Sequence, residues 1–135
     1  MSKFESQIKT VSHKTEIVYQ KLTDLSNLEK VKDKIPQDKM RDIEFDADSF
    51  RFTVDPVGKI GLRIIDKEEN KTIKFKSEQS PIDFFVWIQL KEADEKTMIK
   101  LTLQAELNPF IKGMVSKPLQ DAVDKLAELI AGFPY

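Results

Sequence analysis

The chain has 135 residues, 40% hydrophobic and 33% charged, which suits one folded domain and excludes a disordered chain. Its 22 basic and 23 acidic residues nearly cancel, and the only arginines are Arg41, Arg51 and Arg63, so neither nucleic acid nor anionic lipid finds a broad attracting field. There is no Cys, which excludes disulfides, thiolate nucleophiles and Cys-based metal sites.

The opening residues, MSKFESQIKTV, hold no apolar leader, and no run approaches the roughly 18 apolar residues of a membrane span. A cytoplasmic protein without stable membrane insertion is expected. Residues 3–11 alternate, with Phe4, Ser6 and Ile8 on one face, which predicts a half-buried strand. Ser12 is the expected N-cap of a helix over 13–25 carrying Ile17, Val18, Leu22 and Leu25. Ser26-Asn-Leu-Glu29 reads as a capping box opening a second short helix with Leu28, Val31 and Ile35, stopped by Pro36. Both helices are too short to stand alone and must lie against something.

From about residue 41 the period becomes two. Ile43 and Phe45, then Phe50, Phe52 and Val54, then Ile60, Leu62 and Ile64, then Ile73 and Phe75 alternate with polar residues. Turn-like groups separate them: Asp46-Ala-Asp-Ser, Asp55-Pro-Val-Gly and Asp66-Lys-Glu-Glu-Asn. Two longer strands, 82–91 and 96–107, flank Glu92-Ala-Asp-Glu. Six such strands with short turns predict an antiparallel meander.

Asn108-Pro109 marks a helix start, and Gly132 its end. Ile111, Val115, Leu119, Ala122, Val123, Leu126 and Ile130 form one stripe between them. Pro118 interrupts this stretch without shifting the stripe's phase. A long helix is expected, kinked near 114–118 or briefly broken with Ser116 as a new cap.

This order is α+β: one strand, two short helices, six strands, one long helix. It resembles the START-related helix-grip superfamily, which includes birch-pollen-allergen-like proteins and polyketide cyclase/dehydrase-like bacterial proteins. Three stretches carry the resemblance: the opening strand running into HKTEIVYQKLTDLSNLEKV with Asp24 and Asn27, the hairpin PIDFFVWIQLKEADEKTMIKLTLQAEL, and the closing NPFIKGMVSKPLQDAVDKLAELIA. It implies a seven-stranded antiparallel sheet curled around the C-terminal helix, with the two short helices closing one end. It also implies a cavity between sheet and helix for an apolar ligand.

Strand parity makes Phe45, Phe52, Ile60, Leu62, Ile64, Ile73, Phe75, Phe84, Val86, Ile88, Leu101 and Leu103 the inward candidates. The helix adds Phe110, Met114, Leu119, Val123 and Leu126. These residues could equally pack against one another and leave no cavity. Gly113 and Pro118 flank the stretch of helix where an entrance is expected, with the loop after Asp55 opposite.

Three functions follow from these features. The first is non-catalytic binding or carriage of a small hydrophobic molecule, lipid-like or polyketide-like, with no cofactor and no metal. The second is a cyclase/dehydrase-type enzyme, which would need inward polar groups that the inward set lacks; Arg51 and Arg63 fall on the outward parity. The third is an interaction module acting through an outer sheet face, as in co-chaperone activator domains of similar fold. His13, the single His, is expected at the surface, and Asp46, Asp48 and Asp55 belong to turns.

DFFVWIQL, residues 83–90, puts large side chains on both faces. If Phe84, Val86 and Ile88 point inward, Phe85 and Trp87 point outward among Lys74, Lys76 and Lys100. Lysine stems could cover the two rings, gaining about 0.5–1 kcal/mol of cation–π attraction. The pair could instead form a homodimer patch, or a bulge near Pro81 could turn one ring inward.

Overall fold

The alternation that begins at Arg41 folds as a meander because each strand buries one face and a short turn returns the chain. The computed structural model describes residues 2–34, 41–55 and 57–135. Its elements are β1 (Ser2–Glu5), β2 (Lys9–Val11), α1 (Thr15–Leu22), a 3-10 helix (Leu25–Lys34), β3 (Arg41–Phe45), β4 (Ser49–Val54), β5 (Gly58–Glu68), β6 (Thr72–Ser77), β7 (Phe84–Ala93), β8 (Lys96–Ala105) and α2 (Pro109–Ala131). The strands form one antiparallel sheet in the order β1-β8-β7-β6-β5-β4-β3, with β2 also paired to β8. The long helix packs on β8, β1 and β2. Ile35, Pro36 and Pro56 lie outside the described residues.

The first strand is not the single run expected. Glu5 faces Thr102 and Lys9 faces Ile99, so four steps on this strand match three on β8. The extra residue makes a bulge, held where the Ser6 amide donates to the Leu101 carbonyl and the Leu101 amide donates to Ser6 Oγ, both at 2.9 Å. Parity flips across it. Phe4 and Val11 are buried, whereas Ile8, expected inward, is 58% exposed. A second bulge lies in β5, where Ile64 faces Phe75 and Asp66 faces Lys74. Ile65 is the extra residue and turns outward, and β5 runs on to Glu68, past the turn expected at Asp66. No register shift interrupts β7 and β8, which meet in a two-residue turn at Asp94-Glu95 with both φ values positive, 49° and 63°.

The helix starts differ from the sequence reading as well. Lys14, not Ser12, is the N-cap of α1, and it caps through no side chain. Tertiary hydrogen bonds hold this end instead: Thr97 Oγ1 donates to the His13 carbonyl at 2.8 Å and lies 3.1 Å from Thr15 Oγ1. Ile17 faces solvent, and Thr15, Val18 and Leu22 are the buried face. Asp24 takes the place of the expected Ser26–Glu29 box, accepting from the Ser26 amide at 3.1 Å and from Ser26 Oγ at 2.5 Å. Those bonds hold its carboxyl below the ordinary aspartate range.

At α2, Asn108 Oδ1 accepts from the Ile111 amide at 2.9 Å, as an N-cap should. The helix is continuous through Pro118. Ser116 does not begin a new helix; its hydroxyl donates to the Lys112 carbonyl within the existing one. Proline leaves the carbonyl four residues earlier, at Met114, without a helical donor, and Met114 faces solvent. Gln120 Nε2 donates to the Glu5 carbonyl at 2.8 Å, so the helix satisfies a backbone group on edge strand β1.

Candidate functional site

Two cavities lie between the inner sheet face and α2, and both have walls of hydrocarbon. The larger, about 70 Å³, is bounded on the sheet by Phe50, Leu62, Phe75, Val86, Ile88 and Leu101. Leu22 of α1, Leu25 and Leu28 of the 3-10 helix, and Leu126, Leu129 and Ile130 of α2 complete it. The smaller, about 20 Å³, lies beside Phe52, Ile60, Phe84, Leu103, Leu119, Ala122 and Val123. Leu62, Val86, Leu101 and Leu126 border both. A cavity of roughly 150 Å³ lined by such side chains holds benzene. The larger one has about half that room, so the interior is mostly packed core with an apolar inlet.

The residues expected to face a cavity divide into three groups. Leu62, Phe75, Val86 and Leu101 line the larger cavity, and Phe52, Phe84, Leu103, Leu119 and Val123 join Leu62, Val86 and Leu101 around the smaller. Phe45 and Ile64 are half-buried and pack against the rim of the core, and Ile73, also expected inward, is fully buried in it without bordering either cavity. Phe110 and Met114 line neither cavity; they are 79% and 50% exposed. Nine residues, about two and a half turns, separate Phe110 from Leu119, so the two face opposite ways. The helix is buried only from Val115 onward.

The expected entrance near Gly113–Pro118 is therefore misplaced. The half-exposed wall residues are Leu28, Leu126 and Leu129, which put the opening between the 3-10 helix and the last turns of α2. Leu22, Leu25, Leu28, Phe50, Leu129 and Ile130 are wall residues that the sequence reading left out. A signal existed for the 3-10 helix: Leu25, Leu28 and Val31 recur every third residue, the period at which such a helix stacks its side chains.

On the outer face, Phe85 and Trp87 both point away from the cavities, half-buried, with ring centroids 5.9 Å apart. Lys74 Nζ sits 4.7 Å from the Phe85 centroid and 5.4 Å from that of Trp87. The acidic turns are occupied by local bonds. Asp46 accepts from the Asp48 and Ser49 amides and from Ser49 Oγ, and Asp55 takes both its contacts from Arg41 Nη2, at 2.7 and 2.8 Å. Among the described residues, no cluster of acidic or His side chains could hold a metal ion, and no helix is long and apolar enough to cross a membrane.

No protein-family profile and no curated protein sequence matches the chain. Solved structures do. Norcoclaurine synthase from Thalictrum flavum aligns with a TM-score of 0.68 at 12% identity, covering 96% of this chain and 84% of that one. A START superfamily protein from Mycobacterium smegmatis aligns at 0.54 and 13%, covering 92% and 98%. The Aha1 dimer from Colwellia psychrerythraea aligns at 0.56 and 19%, covering 92% and 97%. The chain has the START/Bet v1-like helix-grip fold.

In this helix-grip chain the C-terminal tail closes the α1 side. Phe133 is buried, and the Tyr135 hydroxyl donates to the Ile130 carbonyl at 2.7 Å. Its ring lies 5.6 Å from that of His13, which is exposed. Burial raises the Tyr135 phenol well above the ordinary tyrosine value. Folding therefore favours its protonated form. Stability from this group is complete below the unfolded tyrosine value, about 10, and falls as pH rises above it, because the unfolded chain loses that proton first. Denaturant unfolding across this range should show the decline, and Tyr135→Phe should reduce its slope. An unchanged slope would mean that the tail does not shield the phenol.

Proposed function

We propose that the protein is a single-domain, cytoplasmic carrier that holds a small hydrophobic molecule, lipid-like or polyketide-like, between sheet and α2 without reacting with it. One observation supports this above all: every side chain bounding the two cavities is aliphatic or phenyl. Such a wall stabilises a ligand by removing apolar area from water, about 25 cal/mol per Å². It offers no group to donate or accept a proton at a reacting atom. Norcoclaurine synthase is an enzyme by its name, yet its likeness to this chain is one of fold, and chemistry lives in the site.

An environment-sensitive apolar dye should bind the wild-type protein and be displaced by fatty acid. Leu129→Trp, which fills the opening from a half-exposed position, should weaken dye binding roughly tenfold, or about 1.4 kcal/mol, while the circular dichroism stays native. Absence of dye binding in wild type, or undiminished binding in a folded Leu129→Trp variant, would rule out a ligand site at this opening.

The second reading is a symmetric homodimer through Phe85 and Trp87. It is favoured by the two rings remaining half-exposed beneath Lys74, and a structural neighbour of the chain is a dimer. Sedimentation velocity at high concentration decides it. A dimer that Phe85→Ser with Trp87→Lys converts to monomer supports this reading, and a wild-type monomer leaves Lys74 as the sole cover of the rings.

A further inference from the structure

We infer that the ligand is a single unbranched chain, and that Leu126 sets how deep it enters. This rests on the cavity being the ligand site. The two cavities follow α2 in line. The larger lies beside Leu129 and Ile130, the smaller beside Leu119 and Val123, and Leu126 borders both. From Ile130 back to Leu119 is eleven steps of helix, or roughly 16 Å. The path is long and narrow, which suits a chain one methylene wide.

The walls of this path are unequal. Leu62, Val86 and Leu101, the other three residues shared by both cavities, lie on β5, β7 and β8 and are 6%, 4% and 1% exposed. Each is fixed by packing within the sheet, and widening the path on their side would disturb three strands. Leu126 stands on the opposite wall and is half-buried, with solvent on one flank. It can swing toward water without displacing core side chains, and that rotation joins the two cavities. A fused-ring ligand needs width, which the sheet side resists. A chain needs only length, which Leu126 controls. Because no polar side chain lines either cavity, the head group of an amphiphile has no internal partner and stays at the opening between the 3-10 helix and α2, where Leu28 and Leu129 are half-exposed.

The test is dye displacement by octanoate, myristate and progesterone from wild type, Leu126→Ala and Leu126→Phe. Octanoate should displace the dye from all three proteins with affinities that differ less than those for myristate, because less of a short chain passes position 126. Leu126→Ala should bind myristate on the order of tenfold more tightly than wild type, since each further methylene removed from water adds favourable transfer energy. Leu126→Phe should bind myristate more weakly than wild type, and progesterone should displace the dye least of all. Leu126→Phe keeps the test open if Leu126→Ala unfolds. A myristate-to-octanoate ratio unmoved by folded variants would overturn Leu126 as the stop while leaving the ligand site standing. Progesterone displacing the dye as well as myristate would overturn the single-chain assignment. If no probe binds any folded variant, the ligand site itself falls, and this inference with it.

Discussion

Phe75→Ala is expected to cost about 3–5 kcal/mol, among the largest losses any single truncation in this chain can produce. Phe75 sits in the middle of β6, 2% exposed, paired with Ile64 on β5 and Val86 on β7. Its ring forms part of the wall of the larger cavity. Removing it takes away transfer energy and leaves space that the strands on either side, held by their ladders, close only in part. The loss should appear in urea unfolding as a lowered midpoint with little change in slope. The same variant should bind the apolar dye more tightly, because the space lost to packing is gained by the inlet. A cost under about 1 kcal/mol would mean that the sheet collapses into the gap, and that the cavity walls are softer than the packing implies.

Gly61 provides the second large effect, and the sign of that effect is informative. A strand glycine replaced by alanine ordinarily gains roughly 0.5–1 kcal/mol from the unfolded state. Here a Cβ would stand 2.3 Å from the backbone carbonyl oxygen of Glu78 and 3.3 Å from Arg51 Cγ. The side-chain atom can give way, but the carbonyl cannot move without β5 and the end of β6 parting. That movement would break the 2.8 Å bond from the Glu78 amide to the Gly61 carbonyl and strain the 2.9 Å pair of Arg63 with Glu78. Gly61→Ala should therefore lower stability by about 1–3 kcal/mol, as overpacking does, and Gly61→Val by more. Thermal unfolding checks both, and a raised midpoint for Gly61→Ala would show that the strands are not held this closely.

The sequence carried the architecture because its periods are clean. Alternation at Phe50-Phe52-Val54 and at Ile73-Phe75 points to strands with one buried face, and no irregularity disturbs the β7–β8 register. The misplaced residues sit where a period breaks for a reason that lies elsewhere in the chain. Ile8 keeps the parity of Phe4 in sequence, but its exposure is fixed by one unmatched residue against β8, ninety positions away. Phe110 and Met114 read as cavity residues because they are large and helical. They fall in the first turns, where their rotation leaves them opposite Leu119, on a face that no strand covers. The opening lies away from its expected place for a related reason. Gly113 and Pro118 are local signs of weakness in a helix, whereas an opening is made by two elements that fail to meet. Here those are the 3-10 helix and the end of α2, whose juxtaposition is tertiary.

The central claim is that the interior holds an apolar molecule, and native mass spectrometry of the protein purified from its own host measures this most directly. A mass above that of the bare chain is expected, returning to the bare mass on denaturation, with an apolar single-chain compound recovered in the organic extract. A bare-chain mass under native conditions, unchanged after incubation with myristate, would contradict it.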